Sequence, residues 1–187
     1  MKVPALLLRG VFTGAILFAP ATAFADRPDE FLHKALKGDN SEIMLGQLAA
    51  DHAFSPAVRD YGRTLVRDHQ QARDEVLRVG RRFRLDDTRA AVPEAYREQR
   101  DLSRMHGPRF DREFINYMVD DHRKDVEDFK DEARERHGAV SELARRQLPT
   151  LRKHLDMALE LQRETDRSAD ADHDRYNRHD RYDRYRR

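Results

Sequence analysis

From Val58 to Phe83 one pattern repeats without interruption. Val58, Gly62, Leu65, His69, Ala72, Val76, Val79 and Phe83 follow one another at steps of four and three in strict alternation. That period winds a single seam along one side of an α-helix, and a seam-bearing helix is stable only when packed against others. The segment opens on Ser55-Pro56, a serine suited to cap a helix followed by a proline suited to its first position. One seam member is not apolar: His69 stands where a core residue belongs.

Three further seams surround this one. A first helix is expected from about Asp29 to Ala53, carrying Phe31, Ala35, Gly38, Glu42, Leu45 and Ala49, with a break or bend near Gly38 in "KGDNSE". A polar linker, Arg84 to Arg109, holds a short helical piece after Pro93. Asp111 is then placed to cap a third helix with Ile115, Met118, His122, Val126, Phe129 and Ala133, stopped by Gly138. A fourth carries Val140, Ala144, Gln147, Leu151, His154, Ala158 and Leu161, and Pro149 inside it is expected to kink it. "LVRDH" (Leu65–His69) is echoed by "MVDDH" (Met118–His122), two matching helix centres. The expected fold is all-α, an up-down-up-down four-helix bundle over residues 26–164.

The ends read differently. Lys2 and Arg9, the apolar run Val11–Ala19 and the small-x-small triplet Ala23-Phe24-Ala25 make residues 1–25 a secretory signal peptide, cleaved after Ala25. The run is well short of the ~20 apolar residues of a membrane span. Export to the periplasm or beyond follows as the expected location, with no span left after leader removal. Residues 165–187 are a low-complexity tail rich in Asp, Arg, His and Tyr, with no apolar period, expected to be disordered. Its tyrosines and arginines suit weak contact with RNA or anionic lipid, although a plain solvated tail fits the composition better. The chain has no cysteine, which excludes disulfides and thiolate ligands. Its net charge of +1 falls to about −1 once Lys2 and Arg9 leave, against a nucleic-acid binder driven by overall charge.

Each of the four seams carries one candidate metal ligand: Glu42, His69, His122 and His154. Counted from the turn at Ser55, Glu42 lies about 13 residues back and His69 about 14 forward; at ~1.5 Å rise per residue they stand level. Counted from Gly138, His122 and His154 are each about 16 residues away. One carboxylate and three imidazoles at one depth make a shell for a single divalent ion, zinc first, iron or manganese next, with copper also compatible. Asp68 and Asp121, each one residue before a seam histidine, are candidates to orient a neighbouring helix's imidazole. The competing reading is a buried Glu-His network without metal, loosening in acid. His52 suits the end of the first helix, His33, His106 and His137 fall near ends or linkers, and His173 and His179 lie in the tail.

"SEIMLGQLAADHAFSPAVRDYGRTLVRDHQQA", "FDREFINYMVDDHRKDVEDF" and "LPTLRKHLDMALEL" together resemble the domain-of-unknown-function family numbered 4142, over about Phe31 to Leu161. The resemblance implies an exported bacterial protein, often labelled a predicted outer-membrane protein, with a ferritin-like four-helix fold and no settled activity. Di-iron enzymes of ferritin-like type need Glu-x-x-His on two helices. Here Val66, Val119 and Leu151 stand three residues before the histidines, which speaks against di-iron oxygen chemistry and mineral storage.

The functional expectation is an exported bundle binding one metal ion, serving metal handling or stress protection in the envelope, its partners unknown. The alternative is a non-catalytic structural or interaction module. No nucleophile triad, phosphate loop or organic-cofactor fingerprint stands out, so an enzyme is not favoured.

Overall fold

The computed structural model describes the backbone of residues 27–184 and the side chains of residues 27–167. The expected leader, residues 1–25, lies outside the described residues. Among those described, every regular element is helical: α1 (Pro28–His52), α2 (Pro56–Gly80), a 3-10 turn (Arg81–Phe83), α3 (Pro93–Leu102), α4 (Pro108–Arg134) and α5 (Ala139–Arg184). No described helix is long and apolar enough to cross a membrane.

Local chemistry explains the boundaries, and corrects three expectations. α1 begins on Pro28, with Asp29 and Glu30 in the first turn complementing the helix dipole. It does not break at "KGDNSE". Asn40 turns its amide to the linker, donating to the carbonyls of Thr88 (2.9 Å) and Ala90 (3.0 Å), and the Ser41 hydroxyl donates to Lys37 one turn back at 2.8 Å. Residues that weaken an isolated helix here hold the linker against it. α2 is capped by Ser55, whose hydroxyl accepts from the Ala57 amide at 3.1 Å. As an α-helix it ends at Gly80, so Phe83 sits in the 3-10 turn and is exposed rather than on the seam.

α4 starts earlier than Asp111. Gly107, at a φ of 64°, makes the turn and Pro108 takes the first helical position. Asp111 instead reaches to the α1–α2 turn, where its carboxylate accepts from the amides of Phe54 (2.8 Å) and Ser55 (2.7 Å). α5 passes through Pro149, and its described backbone is helical to Arg184.

α1 packs most extensively on α2, and α4 on α5. Cross-contacts set the directions of the remaining neighbours. Phe31 meets Phe129 edge-on at 5.0 Å at one end of α1, while Asp111 holds the turn at the other, so α1 and α4 run antiparallel. Asp68 meets His154, and the Gln147 amide donates to the Ala72 carbonyl at 3.1 Å, so α2 and α5 also run antiparallel. The long helices therefore run up-down-down-up, not up-down-up-down as expected, because the linker ahead of α4 passes along α1 at Asn40 and returns the chain to the Ser55 end before α4 begins. α1 and α2 touch backbone to backbone at Gly46 and Gly62. A Cβ on Gly62 would stand 2.6 Å from the Gly46 oxygen.

The core is divided. One apolar cluster contains Leu45, Tyr61, Leu65, Phe114 and Met118; the other contains Phe31, Leu36, Val76, Phe129 and Leu143. On every long helix the residues between the two clusters are polar: Asp39 and Glu42 on α1, His69 on α2, His122 on α4, His154 on α5. Buried polar groups cost free energy unless they are partnered. The apolar clusters, at roughly 1.5–3 kcal/mol per fully buried large side chain, hold that layer in place.

Candidate metal centre

The layer is built around three imidazoles. His69, His122 and His154 are 3%, 0% and 0% exposed. Their ring centroids lie 5.9 Å (His69–His122), 5.2 Å (His69–His154) and 5.4 Å (His122–His154) apart. One ring nitrogen from each lies within 4.8 Å of the other two.

Each ring has one nitrogen engaged and one open. His122 Nδ1 lies 3.0 Å from the carbonyl of Met118, one turn back on α4. A carbonyl only accepts, so Nδ1 carries the proton and Nε2 a lone pair. His154 Nε2 lies 3.0 Å from Asp68 Oδ2. Burial acts to raise the Asp68 pKa, but hydrogen bonds from His154 and Arg67 outweigh it and hold the carboxyl below its ordinary range. Asp68 is therefore an acceptor, His154 Nε2 the donor, and Nδ1 the lone-pair nitrogen. His69 Nδ1 lies 2.9 Å from Asp39 Oδ1, both side chains being buried. Burial pushes Asp39 up, against the pull of the Arg73 guanidinium. The nitrogens left over are His69 Nε2, His122 Nε2 and His154 Nδ1, all buried and none with a hydrogen-bond partner among the described residues.

Burial keeps these rings neutral. It lowers the pKa of His69 to about 4, that of His122 to about 3, with His69 and His154 adding repulsion, and that of His154 to about 4, with His69 adding to the effect. Two of these neutral rings, His122 and His154, turn lone pairs inward, and no donor among the described residues satisfies them. A cation fits that donor set; imidazole nitrogen is a ligand for zinc and other first-row ions.

Glu42 does not complete this set. It is fully buried, but its closest recorded approach to the triad is 3.7 Å, from Oε1 to His122 Nδ1, the nitrogen already engaged with Met118. It groups instead with Asp121 and Asp125 of α4, one carboxylate oxygen of each lying within 4.8 Å of the others. Asp121 thus faces Glu42 rather than an imidazole, whereas Asp68 does reach the imidazole of a neighbouring helix. Asp39 and Asp125 were missed in sequence. Their signal was spacing: Asp39 precedes Glu42 by three residues and Asp125 follows Asp121 by four, each pair on one helix face. His33, His52 and His106 are exposed, and His137 pairs with Glu132 at 3.1 Å, away from the layer.

A cleft of about 220 Å³ between the four long helices reaches the layer. Asp39, Asp68, His69, Asp125 and His154 line it, together with the charged residues Lys34, Glu75, Arg146 and Lys153.

No curated protein and no solved structure matches the chain. A family profile described as Domain of unknown function (DUF4142) matches residues 14–161, which include every residue of the buried polar layer. The match spans most of the sequence, and the chain belongs to that family.

Proposed function

We propose that this is an exported, ferritin-like four-helix protein that binds one divalent metal ion through His69, His122 and His154. Its role is metal handling or stress protection in the cell envelope. The supporting observation is the set of three buried ring nitrogens without a hydrogen-bond partner among the described residues, two of which, His122 Nε2 and His154 Nδ1, are left as lone pairs by what the opposite nitrogen contacts. A metal-free network would place a donor against at least one of them. Zinc is the first candidate, iron or manganese the next, because a neutral imidazole set suits borderline ions. When bound, such an ion acts as a Lewis acid and as an electrostatic clasp. The chain's own residues hold the rings: Asp68, Asp39 and the Met118 carbonyl fix which nitrogen faces inward.

The cleft favours handling over a sealed structural site, since it leaves His69 and His154 reachable by an exchanging ion. Export rests on the leader composition of residues 1–25.

The test is metal analysis of untagged protein recovered from the periplasm, with zinc added back after chelation. Wild type should carry one tightly held zinc per chain, and the His122→Ala, His154→Ala double variant none. Unchanged zinc stoichiometry in the double variant overturns the reading. Retention of the unprocessed protein in the cytoplasm overturns the location.

A further inference from the structure

We infer that Glu42, Asp121 and Asp125 form a second cation site beside the imidazole triad, one that takes a hard divalent ion through oxygen. It extends the reading above without depending on it, because it uses none of the three open nitrogens.

Three carboxylates close together are commonplace on a protein surface and mean little there. Glu42 is what distinguishes this group. Its side chain is 0% exposed, and neither Oε1 nor Oε2 has a hydrogen-bond partner among the described residues. An isolated carboxylate in such a place is among the most costly groups a fold can bury. The charged neighbours that act on Glu42 are Asp121, Asp125 and Asp39, every one an acid. The nearest ring nitrogen, His122 Nδ1, gives its proton to Met118. Lys34, which acts on Asp125, is paired with Asp128 at 2.6 Å.

The geometry suits an ion. Asp121 and Asp125 stand one turn apart on α4 and face Glu42 across the α1–α4 contact, with their oxygens within 4.8 Å of one another. Donors from two helices leave the remaining directions to water, as hard cations of the magnesium, calcium and manganese class prefer. Asp125 also lines the cleft, which supplies an entry path. The two sets of donors differ in kind. Nitrogen in one and oxygen in the other lets a borderline and a hard ion sort themselves between neighbouring positions.

The probe is Mn²⁺. Untagged full-length chain is stripped with chelator, loaded with one equivalent of zinc, and titrated with Mn²⁺ while the paramagnetic signal of the free ion is followed. Wild type should take up one Mn²⁺ per chain. The His69→Gln, His154→Gln variant should retain that uptake. The Asp121→Asn, Asp125→Asn variant, checked for fold by circular dichroism, should lose about tenfold or more in affinity. Equal Mn²⁺ uptake in the aspartate variant, or loss of uptake in the histidine variant, overturns the second site. If the aspartate variant does not fold, the wild-type titration decides: no Mn²⁺ bound by zinc-loaded protein at about 1 mM overturns it, a threshold at the weak end of known protein sites. Failure of zinc to bind while Mn²⁺ uptake stays intact overturns the imidazole reading and leaves this one standing.

Discussion

His154 Nε2 on α5 donates to Asp68 Oδ2 on α2 across 3.0 Å, and that contact decides which face of the ring is open. Asp68 is held in its acceptor form, so the His154 proton cannot move to Nδ1 without losing its partner. The carboxylate fixes a tautomer as well as a position.

Asp68→Asn should therefore weaken zinc binding by about 10–100-fold while leaving the fold intact. An amide offers a donor as readily as an acceptor, and the ring is then free to present N–H inward. Competition with a chromogenic chelator, beside a thermal melt, reads both. Unchanged affinity would mean that the ring's orientation does not depend on Asp68.

Proton competition for the triad should be weak. Rings whose pKa values burial has lowered to about 3–4 stay unprotonated where an exposed histidine, near 6.5, takes up a proton. Zinc affinity should change little between pH 7 and pH 5, measured by titration in a non-coordinating buffer. A steep loss beginning near pH 6.5 would place the rings in contact with water.

Glu42 gives the opposite sign. Burial, and then the charges of Asp121, Asp125 and Asp39, raise its pKa well above the ordinary carboxyl value. A raised carboxyl holds its proton in the native state at pH values where the unfolded chain has released it. Its contribution to stability is thus full below the unfolded value, near 4.3, and is lost as pH rises through the folded one. Glu42→Gln keeps the shape and never ionises. In chelated protein the variant and wild type should melt together near pH 4, with the variant melting several degrees higher at pH 7, at about 2–4 °C per kcal/mol. Added Mn²⁺ should reverse the order, because only wild type has the ligand.

Gly62→Ala should destabilise by about 1–3 kcal/mol. The new methyl would lie 2.6 Å from the Gly46 carbonyl oxygen and 2.8 Å from the Ala50 amide nitrogen, both backbone atoms that move only with the helix. Pushing α1 from α2 also separates Asp39 from His69, so zinc affinity should fall together with the melting temperature. A melt within a degree of wild type would show that this crossing is looser than drawn.

Asp111→Ala should cost about 1–3 kcal/mol by leaving the Phe54 and Ser55 amides without their acceptor. Zinc affinity should be nearly untouched, since the turn lies at the far end of α1 from Phe31. Parallel loss of zinc and stability would instead tie the turn to the layer.

Counting along the chain levelled the candidate ligands in pairs, Glu42 with His69 from Ser55 and His122 with His154 from Gly138. The three rings share one depth because the hairpins pack so that Asp68 of α2 meets His154 of α5. The count from Ser55 placed Glu42 level with His69 but could not say which neighbour it faces. That depends on how α1 is rotated against α4, and rotation is set by packing such as Phe31 on Phe129. Asp39 and Asp125 were obscured for a compositional reason. In a chain with 38% charged residues an acid on a helix looks solvated until a second helix covers it. Asp111 misled in another way. Its type and place suited a cap for its own helix, but Gly107 and Pro108 had already opened that helix, freeing its carboxylate for a turn 56 residues earlier.

The division of the core by a polar stratum carries a consequence for assembly. The α1–α2 hairpin brings one ring and the α4–α5 hairpin two, so neither half alone presents the full imidazole set. An ion held by all three would stitch the halves together, and its departure would loosen the seam between them before either hairpin came apart. Hydrogen exchange should then report ion loss first along the α2–α5 and α1–α4 contacts, making occupancy a latch on the tertiary structure and not merely a cargo within it.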